Sequence, residues 1–370
     1  MDMNFFAPVN IITGKDCVKN NADIFREAGK KCMIVTGKNG AKKSGALDDV
    51  IAVLKSIGTE YVIFDEIEQN PSYASCKMAA GTAKNADAEF IIGIGGGSPL
   101  DAAKAIAVLA VCSDTSAKAL YSMDWDKKPL PVIAVGTTAG TGSEVSPVSV
   151  ITTPEGMKKS FRAPSLYPVV AFGDATYTMS LSPEFTRSTA LDTLCHCVES
   201  YFNRTSNDIS RTVALRGIAI LLEMLERTSE CDVKPLTFDE RETLYCASLY
   251  GGLAIGVTGT AFPHTLGYFL SEQYDICHGN ACAVYLEEFL NYNCTVAPED
   301  AEAFFKALNT DKETIVDLIR KNLPDMDIKL TEEKISELSP RYENNKSLIK
   351  CYGTVDRIFA EALLRKLFIK

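Results

Sequence analysis

The sequence is poor in histidine and has no long apolar run. Its 370 residues include one tryptophan and three histidines, His196, His264 and His278, so any chemistry that needs an imidazole must use those three. The longest apolar run, near Ala105 to Cys112, is far shorter than the roughly 18 residues of a membrane-spanning helix. The N-terminus lacks the basic and then apolar pattern of a secretory signal. These absences predict a cytoplasmic protein without a membrane partner.

An excess of basic residues is also missing. The chain has 38 Lys and Arg against 48 Asp and Glu, for a net charge of −10. Because nucleic-acid binding requires a clustered basic surface that displaces counterions, we expect no nucleic-acid partner. Hydrophobic residues make up 46% of the chain, which is typical of a folded protein. At roughly 150 residues per domain, the length predicts two domains.

The twelve cysteines form no CxxC pair and have no regular spacing. In a chain too long to be a disulfide scaffold, this pattern favours reduced, mostly buried thiols. Cys195 and Cys197 flank His196, and Cys277 precedes His278, which suggests a zinc site with thiolate ligands. Adjacent residues of a helix point about 100° apart, so we interpret these three cysteines as structural thiols.

The pattern of apolar residues changes near residue 181. Before it, strand patterns at 31–36, 60–65, 89–94, 131–135, 145–152 and 169–172 alternate with helical patterns at 46–57 and 73–85. After it, helical patterns dominate, at 183–205, 209–227, 239–255, 280–291, 301–308 and 312–321. This order predicts an α/β domain with a Rossmann-like parallel sheet at residues 1–180 and an all-α domain at 181–370. We expect a ligand cleft between them.

A glycine triplet at 95–97 follows the strand predicted at 89–94. Three glycines let the backbone approach a bulky anion closely. Ser98 is placed to N-cap the next helix, with Pro99 in its first position and Asp101 completing a capping box. The N-terminus of that helix would then face a phosphate. The alternative is a tight turn without a ligand, since the motif is not the GxGxxG fingerprint.

A second loop, at 136–144, follows the strand predicted at 131–135 and is rich in Thr, Gly and Ser. It offers several hydroxyl groups beside flexible backbone. Because two such loops follow two strands of one predicted sheet, we interpret the second loop as another wall of the same phosphate and ribose site. A solvated polar loop is the alternative.

Asp192 and His196 lie four residues apart in a helical pattern, so their side chains emerge on one face. His264 and His278 follow, 14 residues apart. One Asp oxygen and three imidazole nitrogens suit a divalent metal such as Fe²⁺ or Zn²⁺. Ordinary surface and core residues could have the same spacing, but all three histidines fall within 83 residues of the helical half. This clustering favours a metal site.

Together these motifs resemble the iron-containing (group III) alcohol dehydrogenase family, which has a dehydroquinate synthase-like fold. The resemblance covers nearly the whole chain and includes the segments GGGSPLDAAKAIA and TTAGTGSEVSP. It implies four metal ligands: Asp192, His196, His264 and His278. Fe²⁺ is the metal that it favours, with Zn²⁺ as the alternative.

The resemblance also implies a dinucleotide cofactor, NADP or NAD. The positions implied to contact it are Gly96, Gly97 and Ser98 in the pyrophosphate loop, Thr137, Thr138 and Thr141 in the second loop, and Asn70 and Lys158. Gly37, after the strand at 31–36, stands where family members that prefer NAD tend to carry Asp. Lys38, Asn39 or Lys42 could bind a 2′-phosphate there, so we expect NADP to be preferred.

The activity implied is a metal-dependent alcohol dehydrogenase or aldehyde reductase, which transfers hydride between NADP(H) or NAD(H) and a small alcohol or aldehyde. A glycerol dehydrogenase or dehydroquinate synthase relative is the alternative, and a nucleotide-binding protein without catalysis is another.

Two further expectations follow from the resemblance. Many family members carry a further histidine four residues after the third ligand, whereas this chain has Tyr268. We expect proton transfer to use Tyr268, water or the ribose hydroxyls of the cofactor. Family members commonly pair through their N-terminal domains, and the apolar segment 5–9 suits an edge strand. We therefore expect a homodimer or a larger even homo-oligomer.

Overall fold

The computed structural model describes residues 3–229 and 235–369. The described strands are β1 Asn10–Thr13, β2 Lys31–Thr36, β3 Glu60–Phe64, β4 Phe90–Gly95, β5 Val132–Gly136, β6 Val148–Thr152, β7 Lys158–Arg162 and β8 Val170–Gly173. Helices α1 Ala22–Ala28, α2 Gly40–Ser44, α3 Ala46–Ile57, α4 Tyr73–Asn85, α5 Gly97–Leu109 and α6 Ala117–Ser122 lie between them. The later helices are α7 Pro183–Tyr201, α8 Asp208–Thr228, α9 Phe238–Thr258, α10 Phe262–Gln273, α11 His278–Ala283, α12 Leu286–Val296, α13 Pro298–Leu308, α14 Lys312–Asn322, α15 Glu332–Leu338 and α16 Arg357–Phe368.

The chain divides into two compact units. The sheet unit comprises Phe6–Ser182 and Pro235–Gly252, and the helical unit comprises Met1–Phe5, Pro183–Lys234 and Leu253–Lys370. Helix α9 therefore contributes its first part to the sheet unit and its last residues to the helical unit. The predicted domain limits, 1–180 and 181–370, stay a prediction.

The core of the sheet unit is a six-stranded parallel sheet with the order β1-β8-β5-β4-β2-β3. Side chains alternate between the two faces of a strand. In β2, Met33 and Val35 enter one buried apolar cluster, while Cys32 and Ile34 enter a second. Both faces of the sheet are therefore covered, as is usual for parallel sheets. The predicted Rossmann-like parallel sheet is confirmed.

The order of the strands brings three loops to one edge of this sheet. The chain passes from β2 to β3 on one side and from β4 to β5 on the other, so β2 and β4 mark a topological switch point. Register pairs Thr36 with Ile94 and Gly95 with Gly136, which aligns the carboxyl ends of β2, β4 and β5. Ligands of open α/β sheets bind at such a point.

Two strand predictions were wrong. The strand predicted at 145–152 is shorter and lies outside the parallel sheet, because β6 pairs antiparallel with β7 in a separate two-stranded sheet. Strand β7 itself was missed because its sequence, KKSFR, lacks an apolar run. The predicted edge strand at 5–9 is also displaced, since the strand at this edge of the sheet is Asn10–Thr13.

In the helical half, the helix predicted at 280–291 is two helices, α11 and α12, and three helices were not predicted: α10, α15 and α16. Helix α10 was missed because Pro263 interrupts the apolar pattern, yet a proline is tolerated in the first helical turn. Within the described ranges no single helix is long and apolar enough to cross a membrane. Helices α9 and α10 pass that test only as a pair, and they are bent by 111° at the break between them.

The cysteines of the described residues form no disulfide bond with one another. Eight of these eleven are buried. Cys231 lies outside the described residues.

Candidate metal and dinucleotide sites

Three polar side chains of helix α7 are buried on one face of the helix. Asp192, His196 and Glu199 are spaced at i, i+4 and i+7, which places them along one face of a helix. They are 3%, 5% and 0% exposed. Oδ1 of Asp192 lies 3.7 Å from Nε2 of His196.

The other two histidines reach the same carboxylate from two short helices. His264 lies in the first turn of α10, and His278 is the first residue of α11. Their Nε2 atoms lie 3.3 Å and 3.9 Å from Oδ1 of Asp192, and the rings of His196 and His264 stack with centroids 4.6 Å apart. The structure thus brings together the four side chains that the resemblance implies as ligands.

The donor atoms of this cluster fit a divalent cation. Oδ1 of Asp192 and Nε2 of His264 lie 3.3 Å apart as an ion pair, but both atoms are buried and neither makes a hydrogen bond of normal geometry, although nearly all buried polar atoms in proteins do. The carboxylates of Asp192 and Glu199 are both buried, and burying uncompensated charge is costly. One divalent cation would give both orphaned atoms a partner and cancel the two negative charges, and carboxylate with imidazole suits Fe²⁺ or Zn²⁺.

The pKa shifts in the cluster show the same need for positive charge. Burial alone would raise the pKa of Asp192, but the imidazoles of His196, His278 and His264 together outweigh burial and hold this pKa well below its ordinary value. Burial alone would lower the pKa of His264. The sulfur of Cys282 and the carboxylates of Glu199 and Asp192 together outweigh burial, so the pKa of His264 is raised well above its ordinary value.

Glu199 belongs to the same cluster, although the sequence did not identify it as a candidate. Its Oε1 contacts Nδ1 of His264, and its Oε2 accepts a hydrogen bond from the backbone N–H of Ala261. Because Nδ1 is engaged, Nε2 of His264 is left to face Asp192. Carboxylates that orient a metal-binding imidazole in this way are common in metal sites. The signal in the sequence was a glutamate seven residues after Asp192, on the same helix face.

Replacing Glu199 with Gln is expected to weaken metal binding about 10- to 100-fold, the usual cost of losing such a carboxylate. The amide keeps the size of the side chain but removes its charge and one of its two acceptors. Competition with a chromophoric chelator would measure the affinity. Glu272→Gln is the matched control, because Glu272 is also a largely buried carboxylate but pairs with Arg341. Equal metal affinity in Glu199→Gln and the wild type would contradict the assigned role.

Close packing of α11 on α7 depends on Gly279. A Cβ atom added there would lie 1.7 Å from the carbonyl oxygen of Ser188 and 3.0 Å from Cβ of Asp192. Only glycine permits this approach, which sets His278 beside Asp192. Tyr268, on α10, lies next to the same histidine: the two ring centroids are 5.9 Å apart and the ring planes differ by 17°.

In the sheet unit, the glycine loop and the Thr-rich loop lie against each other. A Cβ atom on Gly96 would lie 2.9 Å from Oγ1 of Thr138, and one on Gly97 would lie 2.9 Å from Cγ2 of Thr141. The backbone N–H of Thr137 donates to the carbonyl of Gly95. The two loops that the sequence assigns to one cofactor therefore form one continuous surface after β4 and β5.

The capping predicted for α5 was wrong. The helix begins at Gly97 and its N-cap is Gly96, which lies two residues before the predicted cap at Ser98. Oγ of Ser98 instead accepts a hydrogen bond from the N–H of Asn70 at 3.3 Å. Asp101 forms no capping box, since its carboxylate accepts from Oγ of Ser143 at 2.6 Å and from the N–H of Val150 at 2.9 Å.

A fully buried lysine fixes the Thr-rich loop to α5. Nζ of Lys104 donates to the carbonyl and hydroxyl oxygens of Ser143 and to the carbonyl of Val148, at 2.7 to 2.8 Å. Beside it, Glu144 accepts a hydrogen bond from the hydroxyl of Tyr245 at 2.8 Å. These buried hydrogen bonds fix the conformation of the Thr-rich loop.

The remaining predicted cofactor residues lie around the same edge. Gly37 follows β2, and Lys38 and Asn39 after it are exposed. Lys42 pairs with Asp65 at 2.5 Å, so the carboxylate of Asp65 already compensates its positive charge. Oγ1 of Thr152 donates to the carbonyl of Asn70, and Lys158 lies opposite Thr152 in the β6–β7 pair.

Comparison with known proteins decides the family. Residues 8–175 match the sequence model of the iron-containing alcohol dehydrogenases, and residues 186–344 match that of the C-terminal part of the same family. The chain belongs to the iron-containing alcohol dehydrogenase family. The predicted family, fold class and enzyme class are confirmed: the chain is an NAD(P)-dependent alcohol dehydrogenase of the iron-containing family.

Individual known proteins are similar to this chain along most of their length. The 1,3-propanediol dehydrogenase of Citrobacter freundii is 31% identical over 322 residues, which are 84% of this chain and 79% of that protein. The solved structure of an iron-containing alcohol dehydrogenase from Thermotoga maritima is 32% identical and superposes with a TM-score of 0.90 over 99% of both chains. Sulfoacetaldehyde reductase from Bifidobacterium kashiwanohense, solved with NAD⁺, is 27% identical, with a TM-score of 0.86 over 99% of both chains.

Proposed function

We propose that this dehydrogenase transfers hydride between NADP(H) and a small alcohol or aldehyde, using Fe²⁺ or alternatively Zn²⁺ held by Asp192, His196, His264 and His278. The observation that carries the proposal is the buried cluster with two orphaned donor atoms. A divalent metal bound there supplies a Lewis acid for the substrate oxygen. The similarity to an iron-containing alcohol dehydrogenase along the whole chain supports the same reading.

The residues of this chain have separable roles in the proposal. Glu199 orients His264. The Gly96–Thr138 surface after β4 and β5 binds the pyrophosphate, because glycine leaves the backbone N–H groups of a helix N-terminus open to an anion. Tyr268, stacked beside His278, is the side chain proposed to exchange the proton of the alcohol, with water and the cofactor hydroxyls as the alternative path.

A substrate panel tests the proposed activity. Short alcohols, aldehydes, diols and glycerol are assayed with both dinucleotides, by following the absorbance of the reduced nicotinamide, while elemental analysis identifies the metal. Turnover of a short aldehyde or alcohol by metal-containing protein is the expected result. Turnover restricted to glycerol would favour the alternative, a glycerol dehydrogenase. Absence of turnover with every compound of the panel would contradict the proposal.

We propose that NADP(H) is preferred over NAD(H), because the loop after β2 carries no carboxylate until Asp48 and presents Lys38 and Asn39 to solvent. Gly37→Asp is expected to invert the preference, since its carboxylate repels a 2′-phosphate and accepts hydrogen bonds from a 2′-hydroxyl. A Cβ atom at this position would lie 3.1 Å from the carbonyl oxygen of Ile67, so a small local adjustment accompanies the change. The ratio of kcat/KM for the two cofactors measures the preference.

The matched control is Gly40→Asp, which adds the same charge three residues later, where a Cβ atom meets nothing within 4 Å. It is expected to leave the cofactor ratio close to that of the wild type. Equal or higher efficiency of the wild type with NADH would show that this loop does not select NADP.

We also propose a homodimer or a larger even oligomer in the cytoplasm. Strand β1 lies at the edge of the sheet, and nearby Phe6 and Ile11 are exposed, which suits pairing with a second copy. The free, mostly buried thiols suit a reducing compartment. Light scattering at micromolar concentration is expected to give an even multiple of the chain mass, and a mass near 40.2 kDa would refute the oligomer.

A further inference from the structure

A buried cysteine lies beside the proposed metal ligands. Cys282 is on α11, four residues after His278, so both side chains lie on one face of the helix. Its Sγ is 3.7 Å from Nδ1 and 3.9 Å from Nε2 of His278. The residue is 0% exposed. None of the motifs in the sequence singled it out.

The distances around Cys282 are those of atoms that share one metal. Asp192, His264, His278 and Cys282 each offer one donor atom, and these four atoms lie within 4.8 Å of one another. Two donors that each bind the same metal at about 2.0 to 2.3 Å lie no more than about 4.6 Å apart, whatever the number of ligands. The separation between Oδ1 of Asp192 and Nε2 of His264 is 3.3 Å, and Sγ of Cys282 lies 3.9 Å from Nε2 of His278, the nitrogen that faces Asp192.

A second observation independent of the thiol points to a ligand at the same place. Oδ1 of Asp192 and Nε2 of His264 have no hydrogen-bond partner, and both residues are more than nine-tenths buried. Asp192 and His264 belong to the same group of four donor residues as Cys282. A cation that partners the two atoms is therefore also within reach of the sulfur.

We propose that Sγ of Cys282 is a further protein ligand of the metal, beside the aspartate and the three histidines. This inference rests on the proposed function, because it requires a metal at the cluster. The sulfur–metal bond forms as the S–H bond breaks, and the proton is released to solvent, as in other thiolate sites. A thiolate is a softer donor than imidazole, so Cys282 raises the preference of the site for Zn²⁺ over Fe²⁺.

Cobalt substitution tests the sulfur ligand without relying on activity. The full-length protein is stripped with a chelator, reloaded with Co²⁺ without oxygen, and its cobalt content and near-ultraviolet spectrum are measured on the same sample. The wild type is expected to show a thiolate-to-cobalt charge-transfer band, and Cys282→Ser is expected to lose the band while retaining cobalt. Cys195→Ser is the matched control, because Cys195 is also 0% exposed, and it is expected to keep the band.

A competition experiment supplies a second readout. Stripped protein is mixed with equal amounts of Zn²⁺ and Fe²⁺ without oxygen, and both bound metals are measured. The ratio of bound zinc to bound iron is expected to be several-fold lower in Cys282→Ser than in the wild type and in Cys195→Ser. The inference is overturned if cobalt binds to the wild type without the band, or if the band survives in Cys282→Ser. A wild type that binds no cobalt would overturn the proposed metal site as well.

Discussion

The His264→Ala variant is expected to lose its metal, and its turnover is expected to fall more than about 100-fold. Removing a metal ligand weakens metal binding and activity more than removing a carboxylate that orients the ligand. Nε2 of His264 lies 3.3 Å from Oδ1 of Asp192 and is one of the two orphaned donors. The loops assigned to the dinucleotide belong to the sheet unit, whereas His264 belongs to the helical unit. Affinity for NADPH, measured by fluorescence titration, is therefore expected to stay near that of the wild type.

Thr265→Val is the control for this variant. Thr265 is the next residue of α10 and is nearly as buried, but its hydroxyl donates to the carbonyl of Ala261 rather than facing the cluster. It is expected to keep a full complement of metal by elemental analysis. Stoichiometric metal and near-normal turnover in His264→Ala would contradict the site assignment.

Gly279→Ala is expected to have the second largest effect on metal binding. Its Cβ would lie 1.7 Å from the carbonyl oxygen of Ser188, so α11 has to move away from α7. This movement separates His278, on α11, from Asp192, on α7. Overpacking of this kind costs about 1 to 3 kcal/mol of folding stability. We expect a lower melting temperature and substoichiometric metal, measured by thermal unfolding and elemental analysis.

Gly81→Ala is the matched control for Gly279→Ala. Gly81 is exposed on α4, and a Cβ atom there meets nothing within 4 Å, so the substitution is expected to stabilise the protein by about 0.4 to 1 kcal/mol. Wild-type metal content and melting temperature in Gly279→Ala would show that the helices tolerate a wider spacing at this position.

The parallel sheet and its two ligand loops could be predicted from the sequence because their signals are local. Short apolar runs, each followed by a run of Gly, Ser or Thr, mark a strand that ends at a loop. Neighbouring strands then bring the loops together, as Gly95 and Gly136 show. The spacing of Asp192 and His196 likewise placed both side chains on one helix face before the fold was known.

The missed features depend on contacts between segments distant in the chain. Glu199 acts on His264 across 65 residues, and Cys282 joins Asp192 only because Gly279 lets α11 approach α7. The cap of α5 was misassigned to Ser98 for a related reason: its hydroxyl is engaged by the N–H of Asn70, from another loop. Contacts between distant segments leave no local pattern in the sequence. From the sequence alone, residues such as Ser98 are therefore assigned to roles within their own segment.

The most direct test of a metal-dependent hydride transfer compares one preparation of the enzyme before and after its metal is removed. The rate of NADPH oxidation by a short aldehyde is measured on the protein as purified, after chelation, and after reloading with Fe²⁺ or Zn²⁺. We predict that the rate falls with the metal content and returns in proportion to the metal bound. A stripped enzyme that retains the full rate, with no metal detected by elemental analysis, would contradict this assignment of the cluster at Asp192.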